Sequence, residues 1–405
     1  MDKVDEIDMK IINDSMLNLD KYIEPNSIDS IVTDPPYELN FMGKGWDNAG
    51  VSFNKETWRK CFDVLKQGGY LLAFGGSRTF HRIACAIEDA GFEIRDCIMW
   101  IYGSGFPKSM NIGLTIDKKN GVESIDTGIA SPNARPNSTK DNTLFESGTV
   151  GKNFNIKVAT NEWNGWGTCL KPAFEPIIVA RKPFKGSLVD NVIEYGVGGL
   201  NIDECRVGDE ERTYKGAGGS DITVAKGAIG TGAGKDLEFT VNGRFPANLI
   251  LTYDETDFDE VCGGFPSEKG NSASRYFYCA KASKKDRDEG LDNFEEKTSG
   301  ELTERVEGSA GISPYAGSRV PKKNIHPTVK PTSLMQYLVR LVTPKGGTVL
   351  DPFMGSGSTG KAVAYENKER NANYKFIGIE LNEEYCNIAR ARITYVQLDE
   401  LLRIS

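Results

Sequence analysis

The sequence has very few of the residues that most protein metal sites and hydrolytic triads require. It contains only two histidines, His81 and His326, and none of its eight cysteines forms a Cys-x-x-Cys pair. Zinc sites, disulfide frameworks and serine–histidine triads are therefore not predicted. We expect a protein that functions without a bound metal.

Long apolar runs and an excess of basic charge are missing as well. No apolar run is long enough to cross a bilayer, and the amino-terminal sequence MDKVDEIDMK is charged, so we expect a cytoplasmic protein without membrane contacts. The formal net charge is −8. A nucleic-acid-binding protein of this composition must collect its lysines and arginines on one face, because phosphate contacts supply most non-specific affinity.

One segment is the best local candidate for such a face. In SRYFYCAKASKKDR, basic residues are interleaved with aromatic ones. The candidate phosphate contacts in it are Arg275, Lys281, Lys284 and Lys285. A strand followed by a solvated, charged turn explains the same segment equally well, so both interpretations stay open.

The order of the predicted elements indicates an α/β domain that is interrupted by other sequence. Strand-like apolar segments alternate with helical ones up to about residue 110 and again from His326 onward. This alternation favours a parallel sheet that is covered by helices on both faces. The predicted α/β domain comprises 1–110, 166–186 and 326–405, with a polar insert at 111–165 and an irregular α+β module at 187–325.

The first motif is the stretch SIVTDPPYELNF, in which an apolar strand runs directly into an aspartate, two prolines and a tyrosine. Two consecutive prolines supply no backbone N–H groups and fix their own φ angles, so the strand must end there in a stiff, extended form. That stiffness would hold Asp34, Pro35, Pro36 and Tyr37 in fixed positions at the carboxyl end of the strand. Open α/β sheets bind ligands at this edge.

The second motif, GGTVLDPFMGSGSTGKA, places a glycine-rich turn between a strand and a helix, where a backbone can approach a ligand closely. From Gly355 it matches the phosphate-binding loop GxxxxGK[ST], except that Ala362 lacks the hydroxyl that would bind magnesium. The next strand ends at Glu380, whose carboxylate could accept hydrogen bonds from ribose hydroxyls. These features favour an adenosine ligand without a polyphosphate, and a nucleoside triphosphatase is the alternative.

In combination, these residues resemble the DNA amino-methyltransferases, which transfer a methyl group from S-adenosylmethionine to an exocyclic nitrogen of a base. DPPY at 34–37 matches the catalytic tetrad of that family, and DPFMGSG at 351–357 matches its cofactor loop. The tetrad precedes the cofactor loop, as in the β class. The resemblance implies a Rossmann-like S-adenosylmethionine-dependent methyltransferase sheet, in which the module at 187–325 recognises the target sequence.

The resemblance also implies where the cofactor binds. Asp14 would lie beside the adenine, and the segment NIHPTVKP would close over the methionine part, with Lys330 as a direct contact. The implied cofactor-binding residues are Asp14, Asp34, His326, Thr328, Lys330, Asp351, Phe353, Gly355, Ser356, Gly357, Ser358, Thr359 and Glu380.

The chemistry of the implied reaction explains the tetrad. An exocyclic amino nitrogen is a poor nucleophile because its lone pair is delocalised into the ring. Acceptors for its hydrogens, here Asp34 and the Pro35 carbonyl, would favour the tetrahedral nitrogen that attacks the methyl group. The base must be flipped out of the duplex, and Tyr37 offers a face for stacking. Downstream, Phe106 is a second candidate stacking residue and Lys108 a candidate phosphate contact.

The expected substrate is adenine N6 in double-stranded DNA, because an aspartate in the first tetrad position is commoner in adenine enzymes. Cytosine N4 stays open as the alternative. A DNA-binding protein that keeps the fold without catalysis is a rival of another class. By analogy with relatives of this motif order, a homodimer and a companion restriction enzyme are the further expected partners.

Overall fold

The structure is a computed structural model, and it describes residues 9–39, 50–102, 109–130, 155–215, 238–252, 277–279, 281–297 and 321–404. The chain forms two compact units. The main unit comprises Met1–Gly103 and Phe174–Ser405, and the second unit comprises Ser104–Ala173.

Strands and helices alternate through most of the described chain. The strands are β1 (Met9–Asn13), β2 (Ile28–Thr33), β3 (Leu65–Phe74), β4 (Glu93–Tyr102), β5 (Ile125–Ala130), β6 (Asn155–Val158), β7 (Phe174–Arg181), β8 (Val207–Lys215), β9 (Glu238–Arg244), β10 (Leu249–Thr252), β11 (Phe277–Tyr278), β12 (Thr348–Asp351) and β13 (Lys375–Glu380). The helices are α1 (Lys55–Val64), α2 (Phe80–Asp89), α3 (Ile112–Asn120), α4 (Leu188–Tyr195), α5 (Lys284–Asp288), α6 (Thr332–Val342), α7 (Ser358–Arg370) and α8 (Glu383–Ile404).

The main unit is built on a nine-stranded sheet with the order β1-β13-β12-β2-β3-β7-β4-β10-β11. Strand β7 is antiparallel to both of its neighbours, and the other neighbouring pairs are parallel. The carboxyl ends of eight strands therefore lie at one edge of the sheet, together with the amino end of β7. The amino-terminal strand β2 pairs with the carboxyl-terminal strand β12, so the two predicted parts of the α/β domain join at the centre of the sheet.

Both faces of the central strands are buried, because helices cover the sheet on both sides. All six residues of β2 are buried. Val32 packs in the core on one face with residues of α6, α7 and α8, whereas Ile31 packs in the core on the other face with residues of α1 and α2. The predicted fold class, a Rossmann-like sheet with helices on both faces, is confirmed.

The second unit contains α3 and the two-stranded sheet β5-β6. The Asn111 side chain accepts a hydrogen bond from the amide of Leu114 and so caps the start of α3. The Asp117 carboxylate accepts hydrogen bonds from Thr160 and Asn161. This unit lies largely within the predicted polar insert at 111–165, where the sequence was too polar and irregular to predict either α3 or the two strands.

The described part of 187–325 belongs to the main unit. Strands β8 and β9 form a separate two-stranded sheet, whereas β10 and β11 extend the main sheet beyond β4. The role of this segment in recognising a target sequence stays a prediction. Among the described residues, no helix is both long and apolar enough to cross a membrane.

Candidate active site

Four acidic residues lie at the carboxyl edge of the sheet, where neighbouring parallel strands end. Asp14 follows β1, Glu380 ends β13, Asp351 ends β12 and Asp34 follows β2. These four strands are adjacent in the sheet. The predicted catalytic tetrad, the glycine loop and the predicted adenosine contacts are therefore brought to one edge.

Asp34 is a mostly buried carboxylate, and only one of its two oxygens has a hydrogen-bond partner among the described residues. Its side chain is 18% exposed, and its Oδ2 lies 2.6 Å from the Lys330 ammonium. Its Oδ1 is buried and has no hydrogen-bond partner among the described residues. Burial raises the pKa of Asp34, Lys330 opposes this shift, and the nearby Glu175 adds to it, so that the pKa is raised overall. One acceptor oxygen is thus left for a ligand.

Tyr37 is held at both its hydroxyl and its backbone. The hydroxyl donates to Glu175 Oε2 at 2.9 Å, and the backbone oxygen accepts a hydrogen bond from Thr79 Oγ1 at 2.8 Å. A Cβ atom at Gly76 would lie 3.2 Å from Cδ2 of the Tyr37 ring, so the turn after β3 leaves space for the ring. Pro35 is buried and Pro36 is half-buried, as the stiff turn predicted from the sequence requires.

Lys330 places a positive charge beside the tetrad. Its side chain is 8% exposed, and its three N–H groups face Asp34 Oδ2 at 2.6 Å, Tyr37 Oη at 3.1 Å and Glu175 Oε2 at 3.2 Å. Burial lowers the pKa of Lys330, but attraction by the two carboxylates outweighs burial and raises it. Lys330 was predicted as a cofactor contact; in this arrangement it binds the tetrad, and the cofactor contact stays a prediction.

Asp351 joins the two motifs. Its carboxylate accepts hydrogen bonds from Thr33 Oγ1 at 2.7 Å, from the Phe353 amide at 3.2 Å and from Thr359 Oγ1 at 2.5 Å. Burial raises the pKa of Asp351 to about 6, although these hydrogen bonds oppose the shift. Asp351 and Thr359, both predicted to bind the cofactor, thus connect the end of β2 to the glycine loop and to α7.

The glycine loop brings its backbone close to neighbouring groups. The Gly355 amide donates to Glu380 Oε2 at 2.9 Å. Gly355 and Gly357 have φ angles of 53° and 77°, which side chains rarely adopt. A Cβ atom at Gly355 would lie 2.9 Å from His326 Nε2, and one at Gly357 would lie 2.7 Å from Ala389 Cβ. Glycine is therefore required at both positions.

Buried side chains hold the loop from behind. The Arg392 Nη1 donates to the Ser356 backbone oxygen at 2.6 Å, and Asn324 Nδ2 donates to Ser356 Oγ at 3.2 Å. Arg392 is fully buried, and burial lowers its pKa to about 10. Ser358 begins α7, and its hydroxyl lies 3.5 Å from Arg392 Nη1. The importance of Asn324 and Arg392 for this loop was not predicted from the sequence.

Lys361 decides between the two interpretations of the glycine loop. In a phosphate-binding loop this lysine would reach the phosphates. Here its side chain is 1% exposed, and its Nζ lies 2.8 Å from both Asp286 Oδ1 and Glu289 Oε2. The positive charge of Lys361 is balanced by two carboxylates inside the protein, so the side chain does not reach a phosphate site. This arrangement contradicts the triphosphatase alternative.

His326 is a neutral histidine in the segment NIHPTVKP. Burial lowers its pKa to about 3. Its Nδ1 lies 3.1 Å from the Thr328 carbonyl oxygen, which requires the proton on Nδ1 and leaves the lone pair of Nε2 beside Gly355. Its ring packs against Tyr385 at 4.7 Å between centroids. Thr328 is exposed.

Two other predicted cofactor contacts have local structural partners. Asp14 accepts hydrogen bonds from Tyr22 Oη at 2.7 Å and Asn18 Nδ2 at 2.9 Å, and mainly the Tyr22 bond lowers its pKa. The Phe353 ring lies 6.2 Å from the Trp58 ring and packs against the core on the α1 side of the sheet. Their contacts with a cofactor stay predictions.

The candidate DNA contacts are described only in part. Phe106, Lys108 and Arg275 lie outside the described residues. Lys281 is exposed, with its Nζ 3.9 Å from the centroid of the Tyr102 ring. Lys284 is paired with Glu296 at 3.1 Å, and Lys285 is exposed on α5.

Glu175 is a further residue of this site that was not predicted from the sequence. It is the second residue of β7, and it contacts Tyr37, Lys330 and Tyr102. Its segment was predicted as a strand. Because β7 runs antiparallel to its neighbours, its amino end lies at the edge of the sheet where the tetrad lies. This direction cannot be read from the sequence. The one available signal was an acidic residue directly before Pro176 and an apolar run. In the described part of the chain, no group of three or more His, Cys, Asp or Glu side chains is arranged to hold a metal ion.

The sheet, with the tetrad and the glycine loop at one edge, places the protein in the class of Rossmann-like methyltransferases. A family model described as DNA methylase, covering the N6 and N4 enzymes, matches residues 28–391. The chain therefore belongs to this family. It is a DNA methyltransferase of the N6/N4 class, with S-adenosylmethionine as the methyl donor. Because the family includes both adenine and cytosine enzymes, membership does not distinguish the two.

Individual relatives agree with this assignment. The type II methyltransferase M.HindIII of Haemophilus influenzae is 24% identical over 429 residues, which cover 96% of this chain and 95% of the relative. The type II methyltransferase M2.DpnII of Streptococcus pneumoniae is 36% identical over 94 residues, which cover 23% of this chain and 28% of the relative.

Two solved structures are similar at low sequence identity. The M1.HpyAVI complex with S-adenosylmethionine has a TM-score of 0.38 and 15% identity, and the match covers 95% of this chain and 99% of that one. The cytosine-N4-specific PvuII DNA methyltransferase has a TM-score of 0.41 and 14% identity, and the match covers 97% of this chain and 92% of that one.

Proposed function

We propose that the protein methylates the N6 amino group of adenine in double-stranded DNA, on a base that is flipped out of the helix. The observation that carries this proposal is the buried Oδ1 of Asp34, which has no partner among the described residues. A buried acceptor without a donor costs stability, so its presence at a ligand-binding edge favours a role in binding substrate.

The tetrad supplies the groups that a base amine needs. Asp34 Oδ1 accepts one hydrogen of the amino group, and the Pro35 carbonyl accepts the other. Both acceptors are fixed before the substrate arrives, Asp34 by Lys330 and Pro35 by the proline turn. They stabilise the tetrahedral nitrogen and the positive charge that develops on it. The Tyr37 ring, held through its hydroxyl, stacks on the flipped base.

The residues at the neighbouring strand ends fit S-adenosylmethionine. Glu380 lies at the end of β13, where its carboxylate accepts a hydrogen bond from Gly355 and can accept others from ribose hydroxyls. Gly355 and Gly357 allow the loop to pack closely against His326 and Ala389 in a backbone conformation that side chains rarely adopt. Neutral His326, beside Gly355, would add no positive charge to a site that holds a sulfonium. When bound, the cofactor supplies an activated methyl group.

Adenine is proposed over cytosine because the tetrad begins with Asp34. We further propose that the protein acts in a restriction–modification system with a companion restriction enzyme, as the names of the type II relatives suggest. By analogy with proteins of the same motif order, we also propose a homodimer. The exposed Lys281 and Lys285 are proposed to contact DNA phosphates.

A labelling experiment tests the proposal. The protein is incubated with unmethylated DNA and methyl-labelled S-adenosylmethionine, and the DNA is digested to nucleosides and separated by chromatography. Label in N6-methyladenine is the expected result. Label in N4-methylcytosine would keep the mechanism and reverse the substrate, and DNA binding without label would support a protein that has lost catalysis.

A further inference from the structure

Glu175 accepts hydrogen bonds from three side chains around the tetrad. Its Oε2 accepts from Tyr37 Oη at 2.9 Å and pairs with Lys330 Nζ at 3.2 Å, and its Oε1 accepts from Tyr102 Oη at 3.3 Å. Its side chain is 21% exposed. Glu175 pairs with Trp100 in the register of β4 and β7, so the sheet fixes its backbone position.

Lys330 has a limited number of hydrogen-bond donors, and this number makes Glu175 important. An ammonium group has three N–H donors. The three acceptors around Lys330 are Asp34 Oδ2, Tyr37 Oη and Glu175 Oε2. With these donors in use, Asp34 Oδ1 keeps its lone pairs. If Glu175 lost its carboxylate, the released N–H could turn to Asp34 Oδ1 and compete with the substrate.

The charges lead to the same conclusion. Asp34, Glu175 and Lys330 together carry one surplus negative charge when both carboxylates are ionised. Methyl transfer places positive charge on the amino nitrogen, and a surplus negative charge nearby stabilises it. Without Glu175, Asp34 and Lys330 would form a neutral pair.

We propose, on the basis of the function proposed above, that Glu175 is a positioning residue for methyl transfer. It holds the Lys330 ammonium and the Tyr37 hydroxyl, and it thereby keeps one Asp34 oxygen available for the amino group of the base. Tyr102 orients the Glu175 carboxylate.

The test compares Glu175→Gln with the wild type in single-turnover methylation of unmethylated DNA. Gln keeps the shape but removes the charge and replaces one of the two acceptor oxygens by an NH₂ donor, so it cannot accept hydrogen bonds from both Lys330 and Tyr102. We expect the rate constant to fall by about 10- to 100-fold. The dissociation constant of S-adenosylmethionine, measured by calorimetry, should change by less than about threefold, since Glu175 acts on the tetrad. Glu88→Gln, on the exposed face of α2, is the matched control and should retain the wild-type rate.

The pH profile distinguishes positioning from mere packing. The ionisable groups that face Asp34 are Lys330, Glu175, Tyr37 and Asp351. Because the charge of Glu175 raises the pKa of Asp34, its removal should move the acidic limb of the rate profile to lower pH while the plateau falls. Glu175→Asp keeps the charge, so it should leave the limb near its wild-type position and recover part of the rate.

Each remaining outcome overturns one of the two proposals. A Glu175→Gln rate within about threefold of the wild type, or a slow variant with an unmoved acidic limb, would overturn the role of Glu175. If the wild type itself transfers no methyl group to adenine or cytosine in DNA, the proposed function is overturned, and this result is obtained without any variant.

Discussion

Replacement of Asp34 by asparagine tests the central carboxylate of the site with little change in volume. The variant keeps one carbonyl oxygen but loses the charge that pairs with Lys330 at 2.6 Å. The amide oxygen is expected to turn towards the ammonium, which places the NH₂ group where Oδ1 now lies. The substrate amine would then meet a donor in place of an acceptor.

The size of the effect follows from these contacts. Loss of one preorganised electrostatic contact with the reacting group reduces a rate constant by about 10²- to 10³-fold, or about 3–4 kcal/mol. Stability should suffer less, because Lys330 keeps Glu175 at 3.2 Å. We expect the free energy of unfolding to fall by about 1.5–3 kcal/mol, the usual range for a hydrogen bond to a charged group.

Single-turnover methylation of DNA measures the first effect and urea unfolding the second. Calorimetric titration with S-adenosylmethionine shows whether the cofactor site is intact. A variant that methylates DNA within about threefold of the wild-type rate would refute the reasoning. A variant that loses cofactor binding and activity together would show that Asp34 acts mainly on the cofactor.

Three further predictions concern the surroundings of the tetrad. Gly357→Ala should weaken S-adenosylmethionine binding and lower the free energy of unfolding. Gly346→Ala, at the same φ of 77° but in open space, should cost only backbone strain of about 1 kcal/mol. Equal effects of the two variants on the dissociation constant and on the free energy of unfolding would contradict this. Lys361→Met removes the cation of Glu289 and the nearer cation of Asp286, which keeps only Arg392 at 4.0 Å, so the free energy of unfolding in urea should fall by about 3–5 kcal/mol. The matched Lys297→Met, at an exposed pair with Glu384, should cost about 0–1 kcal/mol; a small loss at Lys361 would argue against a buried ion cluster. Because the pKa of Asp351 is raised to about 6, the folded state binds more protons than the unfolded state below that pH. The free energy of unfolding should therefore fall by up to about 3 kcal/mol as the pH rises from about 4 to about 6. This fall should be smaller in Asp351→Asn. If the free energy of unfolding depends on pH equally in the variant and the wild type, Asp351 does not cause the fall.

The sequence predicted the parts of the site that depend on local rules. Strands alternating with helices predict a parallel sheet, and in a parallel sheet the residues that follow the strands meet at one edge. Asp34, Asp351 and Glu380 could be placed together for this reason. The glycines at 355 and 357 were predicted from their position between a strand and a helix.

The remaining features depend on contacts between distant parts of the chain. Glu175 reaches the site only because β7 runs antiparallel, and no local pattern encodes that direction. The pairing of Lys361 with Asp286 joins residues that are far apart in sequence, so Lys361 could be taken for a phosphate-binding lysine. Helix α3 was missed because its residues form no clear apolar stripe, which leaves capping by Asn111 as its main local signal.

The pairing of β2 with β12 has a consequence for synthesis of the protein. Ser30 pairs with Val349, and Ile31 pairs with Leu350, so β2, which already pairs with β3, gains its second neighbour only after more than three hundred intervening residues have been made. Long loops must close before such contacts can stabilise the sheet, which makes folding slow. A nascent chain on the ribosome would expose one bare edge of β2 for most of its elongation, and chaperones that protect unpaired strands would act during that interval.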